Sequence, residues 1–330
     1  MTNKIGIIGA GAWGTALASV VCRAGNDVVI QAREAEVVAA INKQHENTVF
    51  LPGVPLDASI RATTDLGEVV QADAILIVTP SQHFRASAQE LAPIWNEGVP
   101  AIICSKGIEQ ESNLLMSEVA HEILPMAPAC ILSGPTFARE VALEMPTAVT
   151  LACADDKLSQ SLTHRLATPH FRIYRSPDLI GAQIGGAVKN VLAIACGIVE
   201  GRKMGNNTRA ALITRGLAEI VRLGLKLGAS AETLMGLSGL GDLTLTCNAM
   251  QSRNFSLGVA LGEGQSLTEI TASRNSVAEG VFSASSVTAL AETLRVEMPI
   301  CMAINEVLNH QADIGSTIQG LLERPFKSES

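Results

Sequence analysis

Residues 4–18 read KIGIIGAGAWGTALA. An apolar run, Ile5 to Ile8, passes directly into Gly9-x-Gly11-x-x-Gly14 and then into the small helix formers Ala16, Leu17 and Ala18. Strand, tight turn and helix start is the order in which a glycine fingerprint binds a dinucleotide pyrophosphate. Gly9 lets the backbone turn sharply, Gly11 lets it approach phosphate oxygens with no Cβ in the way, and Gly14 lets the helix pack close to the strand. The unpaired amides of the helix N-terminus then face the anion. In a chain with 28 glycines the bare pattern is weak, and the strand immediately upstream gives it meaning.

Outward from this stretch, strand-like segments alternate with helix-like ones: Lys4–Ile8, Asp27–Gln31, Ala74–Thr79, Pro100–Cys104, Ala129–Leu132, Thr147–Ala152 and Phe171–Tyr174. Short apolar strands separated by helices predict a parallel sheet covered on both faces. Ligands of such sheets sit beyond the carboxyl ends of the strands, where Thr79-Pro80-Ser81 and Ser105-Lys106-Gly107 fall; topology therefore aims Lys106 at the cofactor crevice. After Pro177 the texture changes, with Asp178 as an N-cap and helical segments expected over 179–200, 207–228, 230–237, 252–262, 283–295 and 299–311. The expected fold is α/β: an N-terminal doubly wound Rossmann-type sheet (1–177) followed by an all-helical C-terminal domain (178–330). Residues 327–330 read as a frayed polar tail.

At 330 residues, two domains is the natural expectation. Hydrophobic residues make up 47% and charged residues 17%, which excludes disorder. The formal net charge of −8 argues against general nucleic-acid or anionic-membrane binding, so a phosphate-bearing ligand needs a local basic pocket. Seven dispersed cysteines without a CxxC pair point to a reducing, cytoplasmic setting. Six histidines without HxxH or HxxxH spacing predict no metal site. No apolar run is read as reaching transmembrane length, and no signal peptide precedes Lys4.

The second strand ends Val29-Ile30-Gln31-Ala32-Arg33-Glu34. The position that grips the ribose 2′-OH in NAD-preferring folds lacks its usual acid, and Arg33 suits a 2′-phosphate. NADP(H), or tolerance of both NADP(H) and NAD(H), is expected.

Residues 181–200, GAQIGGAVKNVLAIACGIVE, carry one cation in a run that is apolar or small on nearly every face. Lys189 follows Gly185 and Gly186 by one turn, so its face is stripped of bulk. Either the lysine snorkels or something polar meets it. Desolvation brings a lysine's proton into useful range for acid–base work, which makes Lys189, beside the amide of Asn190, a catalytic candidate. A second cluster, GLSGLGDLTLTCNAMQSRN (236–254), offers Asp242 after a glycine turn, the hydroxyls of Thr244, Thr246 and Ser252, and the donors Arg253 and Asn254. Arg, Asn and hydroxyls together can hold a phosphate or carboxylate. Asp242 either pairs with Lys189 or caps a helix.

Together these segments resemble the NAD(P)-dependent glycerol-3-phosphate dehydrogenase family of the bacterial type, nearly end to end. The resemblance is carried by GAGAWGTALA, SKGIE around Lys106, SGPTFARE from Ser133, GGAVKN around Lys189, TRGLAE from Thr214, GLSGLGDLTLTC from Gly236, QSRN from Gln251, and VAEG from Val277. It implies interconversion of dihydroxyacetone phosphate and sn-glycerol 3-phosphate, feeding phospholipid synthesis, in a homodimer. By position it makes Lys189 the proton acceptor and Lys106 a contact of both substrate and cofactor. Gly134, Thr136, Asp242, Ser252, Arg253 and Asn254 become substrate contacts, with Thr246 beside them. Ala12, Trp13, Arg33, Ala138, Val277 and Glu279 become cofactor contacts, as does Arg253; Ala12 offers only its backbone amide. The SGPT turn is expected to open a helix, with Pro135 early in it. The expected chemistry is direct hydride transfer, with Lys189 held by Asp242 and Asn190. A β-hydroxyacid or ketoacid reductase shares this two-domain plan, and a dinucleotide-sensing regulator is the rival outside enzymes.

Overall fold

A computed structural model describes residues 3–272 and 278–325. Eight strands form one sheet: β1 (Lys4–Ile8), β2 (Asp27–Gln31), β3 (Arg61–Thr63), β4 (Ala74–Ile77), β5 (Ala101–Ile103), β6 (Ala129–Ser133), β7 (Thr147–Cys153) and β8 (Phe171–Ser176). Their order is β3-β2-β1-β4-β5-β6-β7-β8. Alternate residues of each strand enter different cores. Ile5, Ile7, Ile30, Leu76 and Ile102 pack on one face with the Ala12–Arg23 helix. Ile8, Val29, Ile75, Ile77 and Ile103 pack on the other with Phe84, Leu91 and Val119. Burial on both faces explains why these strands read as continuous apolar runs instead of alternating ones.

The chain leaves β1 toward β2 on one side and returns to β4 on the other, so the order reverses between β1 and β4. A crevice opens at such a reversal. The glycine fingerprint follows β1, and Thr79-Pro80-Ser81 lies just beyond β4. Lys106 follows β5, and Gly134 follows β6. Parallel pairing from β1 through β6 puts all four turns on one edge.

Two expectations about the sheet are corrected. It is not wholly parallel, because β7 runs antiparallel to β6, with Cys130 opposite Cys153 and Ser133 opposite Thr150. It also gains β3, a three-residue edge strand beside β2.

Asp178 accepts the Gly181 amide at 2.8 Å and caps the central helix, Leu179–Gly201. That helix is buried from Gly181 to Val199 and anchors a third core with Ile220, Leu223, Phe255 and Val287. At 23 residues with a mean hydropathy of 1.5 it is long and apolar enough to cross a membrane, contrary to the expectation above; its apolar window is buried inside the protein. Around it lie the helices Asn206–Leu227, Ala231–Leu234, Asp242–Thr246, Arg253–Gly262, Glu279–Leu294 and Pro299–Asn309. Leu267–Ala272 and Ile314–Leu322 are further helices that the sequence reading did not mark. The tail 327–330 lies outside the described residues.

The central helix meets Arg253–Gly262 backbone to backbone. A Cβ on Gly197 would overlap the Phe255 carbonyl, and one on Gly258 would overlap the Ile194 carbonyl. Only glycine permits this approach, and it recurs one turn on between Gly201 and Gly262.

Candidate active site

Gly9 takes φ +103°, a conformation that penalises any side chain, and a Cβ on Gly14 would overlap the Gly9 carbonyl oxygen. Gly11, in contrast, faces open space where its Cβ would be, and it caps the Ala12–Arg23 helix. The turn therefore presents bare backbone amides at a helix N-terminus, the donor set a pyrophosphate needs. The Trp13 indole N–H and the hydroxyls of Thr79, Ser133 and Ser283 are buried with no hydrogen-bond partner among the described residues. Unsatisfied buried donors lining a crevice fit a polar ligand held there. Ala12 opens the helix, and Arg33 lies 61% exposed past β2, 3.8 Å from Glu90.

The central helix brings Lys189 to the same edge. Its side chain does not snorkel; the residue is 6% exposed. The ammonium donates to Asp242 Oδ1 at 2.7 Å and to Thr246 Oγ1 at 2.9 Å. Lys106, arriving from β5, donates to the other oxygen, Asp242 Oδ2, at 2.7 Å and to the Gly134 carbonyl at 2.9 Å. Thr246, one turn after Asp242, donates to the Asp242 carbonyl at 2.6 Å, which aims its lone pairs at Lys189. Of the two roles open to Asp242, pairing is therefore the observed one; Gly241 occupies the cap position.

The two glycines before Lys189 have separate uses. Gly185 lets the Ser238–Gly239 backbone lie against the helix, which delivers the turn carrying Asp242. Gly186 leaves room for the Lys106 stem, since a Cβ there would stand 3.3 Å from Lys106 Cγ.

Two ammoniums share one carboxylate, so the cluster carries a net positive charge. Burial pushes Lys189 down to about 8, with Asp242 pulling the other way and Lys106 adding to the depression. Burial alone would raise Asp242, but the Lys106 and Lys189 cations overcome it and hold the carboxyl below its ordinary value. An ammonium has three donors. Among the described residues two on each lysine are used, which leaves one N–H apiece for a ligand.

A neighbouring amide chain has its polarity fixed from one end. The Gly280 amide donates to Asn254 Oδ1 at 3.0 Å, and the Asn254 nitrogen donates to Asn190 Oδ1 at 2.9 Å. That leaves the Asn190 nitrogen as the donor end. The expectation that Asn190 holds Lys189 is thus corrected: Thr246 takes that place. Adjacent helical residues diverge by about 100°, so they do not share one partner easily.

The remaining candidates fall around these groups. Thr136 donates to the Gly134 carbonyl at 3.3 Å, and Ser252 caps the Arg253–Gly262 helix by accepting from Phe255. Arg253, first in that helix, stabilises the Glu279 carboxylate, which burial pushes up. Ala138 begins its own helix, so Pro135 precedes that helix instead of opening it. Val277 lies outside the described residues. Sequence reasoning missed Gly280 and the glycine pairs of the central helix; the spacing Gly197-x3-Gly201 against Gly258-x3-Gly262 was the available signal. Among the described residues no group of His, Cys, Asp or Glu could hold a metal ion.

The NAD-dependent glycerol-3-phosphate dehydrogenase N-terminus, as a family, matches residues 4–159, and the corresponding C-terminus matches 178–319. The chain belongs to this family. A glycerol-3-phosphate dehydrogenase (NAD(P)+) of Parvibaculum lavamentivorans is 57% identical over 328 residues, covering 99% of this chain and 98% of that one. The crystal structure of glycerol-3-phosphate dehydrogenase from Coxiella burnetii superposes with a TM-score of 0.94 at 40% identity, covering 98% of this chain and 99% of that one. A PanE/ApbA family ketopantoate reductase from Ralstonia eutropha shares the fold alone, at TM-score 0.61 and 16% identity over 96% of this chain and 99% of that one. Family membership makes this chain an NAD(P)-dependent dehydrogenase.

Proposed function

We propose that Lys189 supplies and recovers the proton as this chain interconverts dihydroxyacetone phosphate and sn-glycerol 3-phosphate. The bound NAD(P)H supplies the hydride. The single observation that carries the proposal is the Lys106–Asp242–Lys189 cluster, in which Asp242 and Lys189 are buried and, among the described residues, one N–H of each lysine is uncommitted. Lys189, oriented by Asp242 and Thr246, meets the C2 oxygen of the substrate and stabilises the charge that grows on it. With a pKa near 8 it can give a proton in the reducing direction and take one back in the other. The Asn190 nitrogen, its direction set by Asn254, offers a separate donor to the substrate beside the Lys189 contact. Lys106, Arg253, Ser252 and the Gly134–Thr136 turn hold the phosphate end, so that phosphate binding fixes the carbonyl in place.

Residues 1–177 serve as the cofactor domain and 178–330 as the substrate domain in this reading. Gly9, Gly11, Ala12, Trp13 and Gly14 take the dinucleotide, with Ala138, Val277 and Glu279 as further cofactor contacts by the family resemblance. Arg33 supports a preference for the 2′-phosphate of NADP(H). A homodimer in the cytoplasm that feeds phospholipid synthesis completes the proposal, supported by the resemblance and by seven free cysteines.

Initial rates with NADPH and NADH on dihydroxyacetone phosphate, for the native chain and for Lys189→Met, test it. Turnover should fall by at least about a thousandfold in the variant while cofactor affinity stays close to native. Retained turnover removes Lys189 from the chemistry.

A further inference from the structure

Asn47 is a polar side chain with 0% exposure, and it touches no part of the cluster described above. It lies in the connection between the second helix, Ala35–Gln44, and β3. Its amide nitrogen donates to the Ala10 carbonyl at 2.8 Å and to Thr15 Oγ1 at 2.8 Å. Its carbonyl oxygen accepts the Phe50 amide at 3.0 Å. Ala10 lies inside the glycine fingerprint, and Thr15 lies on the first turn of the helix that follows. One side chain therefore spans the turn from its loop end to its helix end.

The same segment reaches further. Arg139, on the Ala138–Ala142 helix just after the Ser133–Thr136 turn, donates to the Pro52 carbonyl at 2.8 Å. Gly53, at φ +73°, lies directly against that guanidinium. Residues 47–53 thus form a strap, pinned at one end to the cofactor turn and at the other to the helix behind the substrate turn.

We propose that Asn47 is a positioning residue for dinucleotide binding, holding the glycine turn in the geometry that aims its amides at the pyrophosphate. The inference rests on the cofactor reading above and extends it to a residue outside the fingerprint. Both donors of a fully buried amide are spent on the turn, so removing them leaves the Ala10 carbonyl with only the long 3.4 Å bond from the Thr15 hydroxyl and frees the turn to relax. The loss falls on cofactor affinity, because only the pyrophosphate contacts depend on that geometry.

The test uses the full chain with Asn47→Ala, Asn47→Asp and Thr15→Val, and NADPH as the probe. Dissociation constants are read from NADPH fluorescence, which requires no turnover and so stands apart from the success of the catalytic proposal. Asn47→Ala should weaken NADPH binding about tenfold, as expected for one buried hydrogen-bonding group, with kcat at saturating cofactor and the KM of dihydroxyacetone phosphate within about twofold. Thr15→Val, which removes the Asn47–Thr15 bond and the long Thr15–Ala10 bond but keeps Asn47 on the Ala10 carbonyl, should weaken it roughly threefold. Asn47→Asp should recover affinity relative to the native chain as pH falls, because the protonated acid regains an O–H donor for the Ala10 carbonyl. Unchanged NADPH affinity in Asn47→Ala, whatever its melting temperature, overturns the proposal. If that variant fails to fold, unchanged affinity in both other variants does the same.

Discussion

Asp242 and Glu219 are equally hidden, at 1% exposure each, yet they titrate in opposite directions. Asp242 lies between two ammoniums and is held below its ordinary value. Glu219, on the Asn206–Leu227 helix, accepts the amides of Ile300 at 2.7 Å and Cys301 at 3.1 Å, and burial pushes it up. Arg222 offers it a weaker attraction. Glu219 closes the N-terminus of the Pro299–Asn309 helix, where unpaired amides need an acceptor. Burial alone therefore separates nothing. What separates the carboxylate of the candidate site from the structural one here is whether side-chain cations or backbone amides satisfy it.

The largest effect that could break this contrast is expected in Asp242→Asn. Without the shared carboxylate the two lysines lose their aim, and turnover should drop on the order of a thousandfold. Steady-state rates for this variant and Glu219→Gln decide the matter, since comparable losses in both would erase the distinction. A smaller effect is expected in the pH profile. Lys189, near 8 in the free enzyme, must be protonated to reduce the carbonyl, so kcat/KM for reduction should fall about tenfold per pH unit above that value. In the oxidising direction the rate should instead climb through the same region. A flat profile in both directions would separate Lys189 from the proton.

The smallest effect concerns stability. Glu219→Ala should cost about 2 kcal/mol in urea unfolding, with kcat/KM within roughly twofold of native. Linkage gives the two carboxylates opposite signs. Glu219, raised when folded, stabilises most at pH below its ordinary 4.5, and that contribution is lost as pH rises through its folded value. Asp242, lowered when folded, stabilises above its ordinary 3.8 and loses the contribution as pH falls through its folded value. The native chain should therefore lose stability relative to Glu219→Gln as pH rises through the folded value of Glu219. Parallel curves would count against a raised Glu219.

Much of this site was legible in the sequence because it broke local rules. A lysine in an oily helix demands a partner, and one carboxylate after a triple-glycine turn was a candidate supplier, with a helix cap equally open to it. The fingerprint was legible because strand and helix flank it. Lys106 was legible because strand ends share an edge. Other features had no such signature. The strand β3 is three residues long with only Ala62 buried, too little for a pattern. The reversal of β7 leaves no trace in its composition, since either direction buries the same side chains. Asn190 was assigned to Lys189 on adjacency, whereas helical geometry turns it toward Asn254. Glu219 passed unnoticed among the charges of an amphipathic helix.

The glycines at 197, 201, 258 and 262 act as a gauge block. Where two helices are separated by side chains, their spacing can drift as those side chains change rotamer or mutate in compensation. Here carbonyl meets Cα, and hydrogen atoms alone set the separation. Asn190 and Asn254 each sit about two turns or less from that seam, so the width of the reacting hollow is inherited from positions that carry no side chain at all.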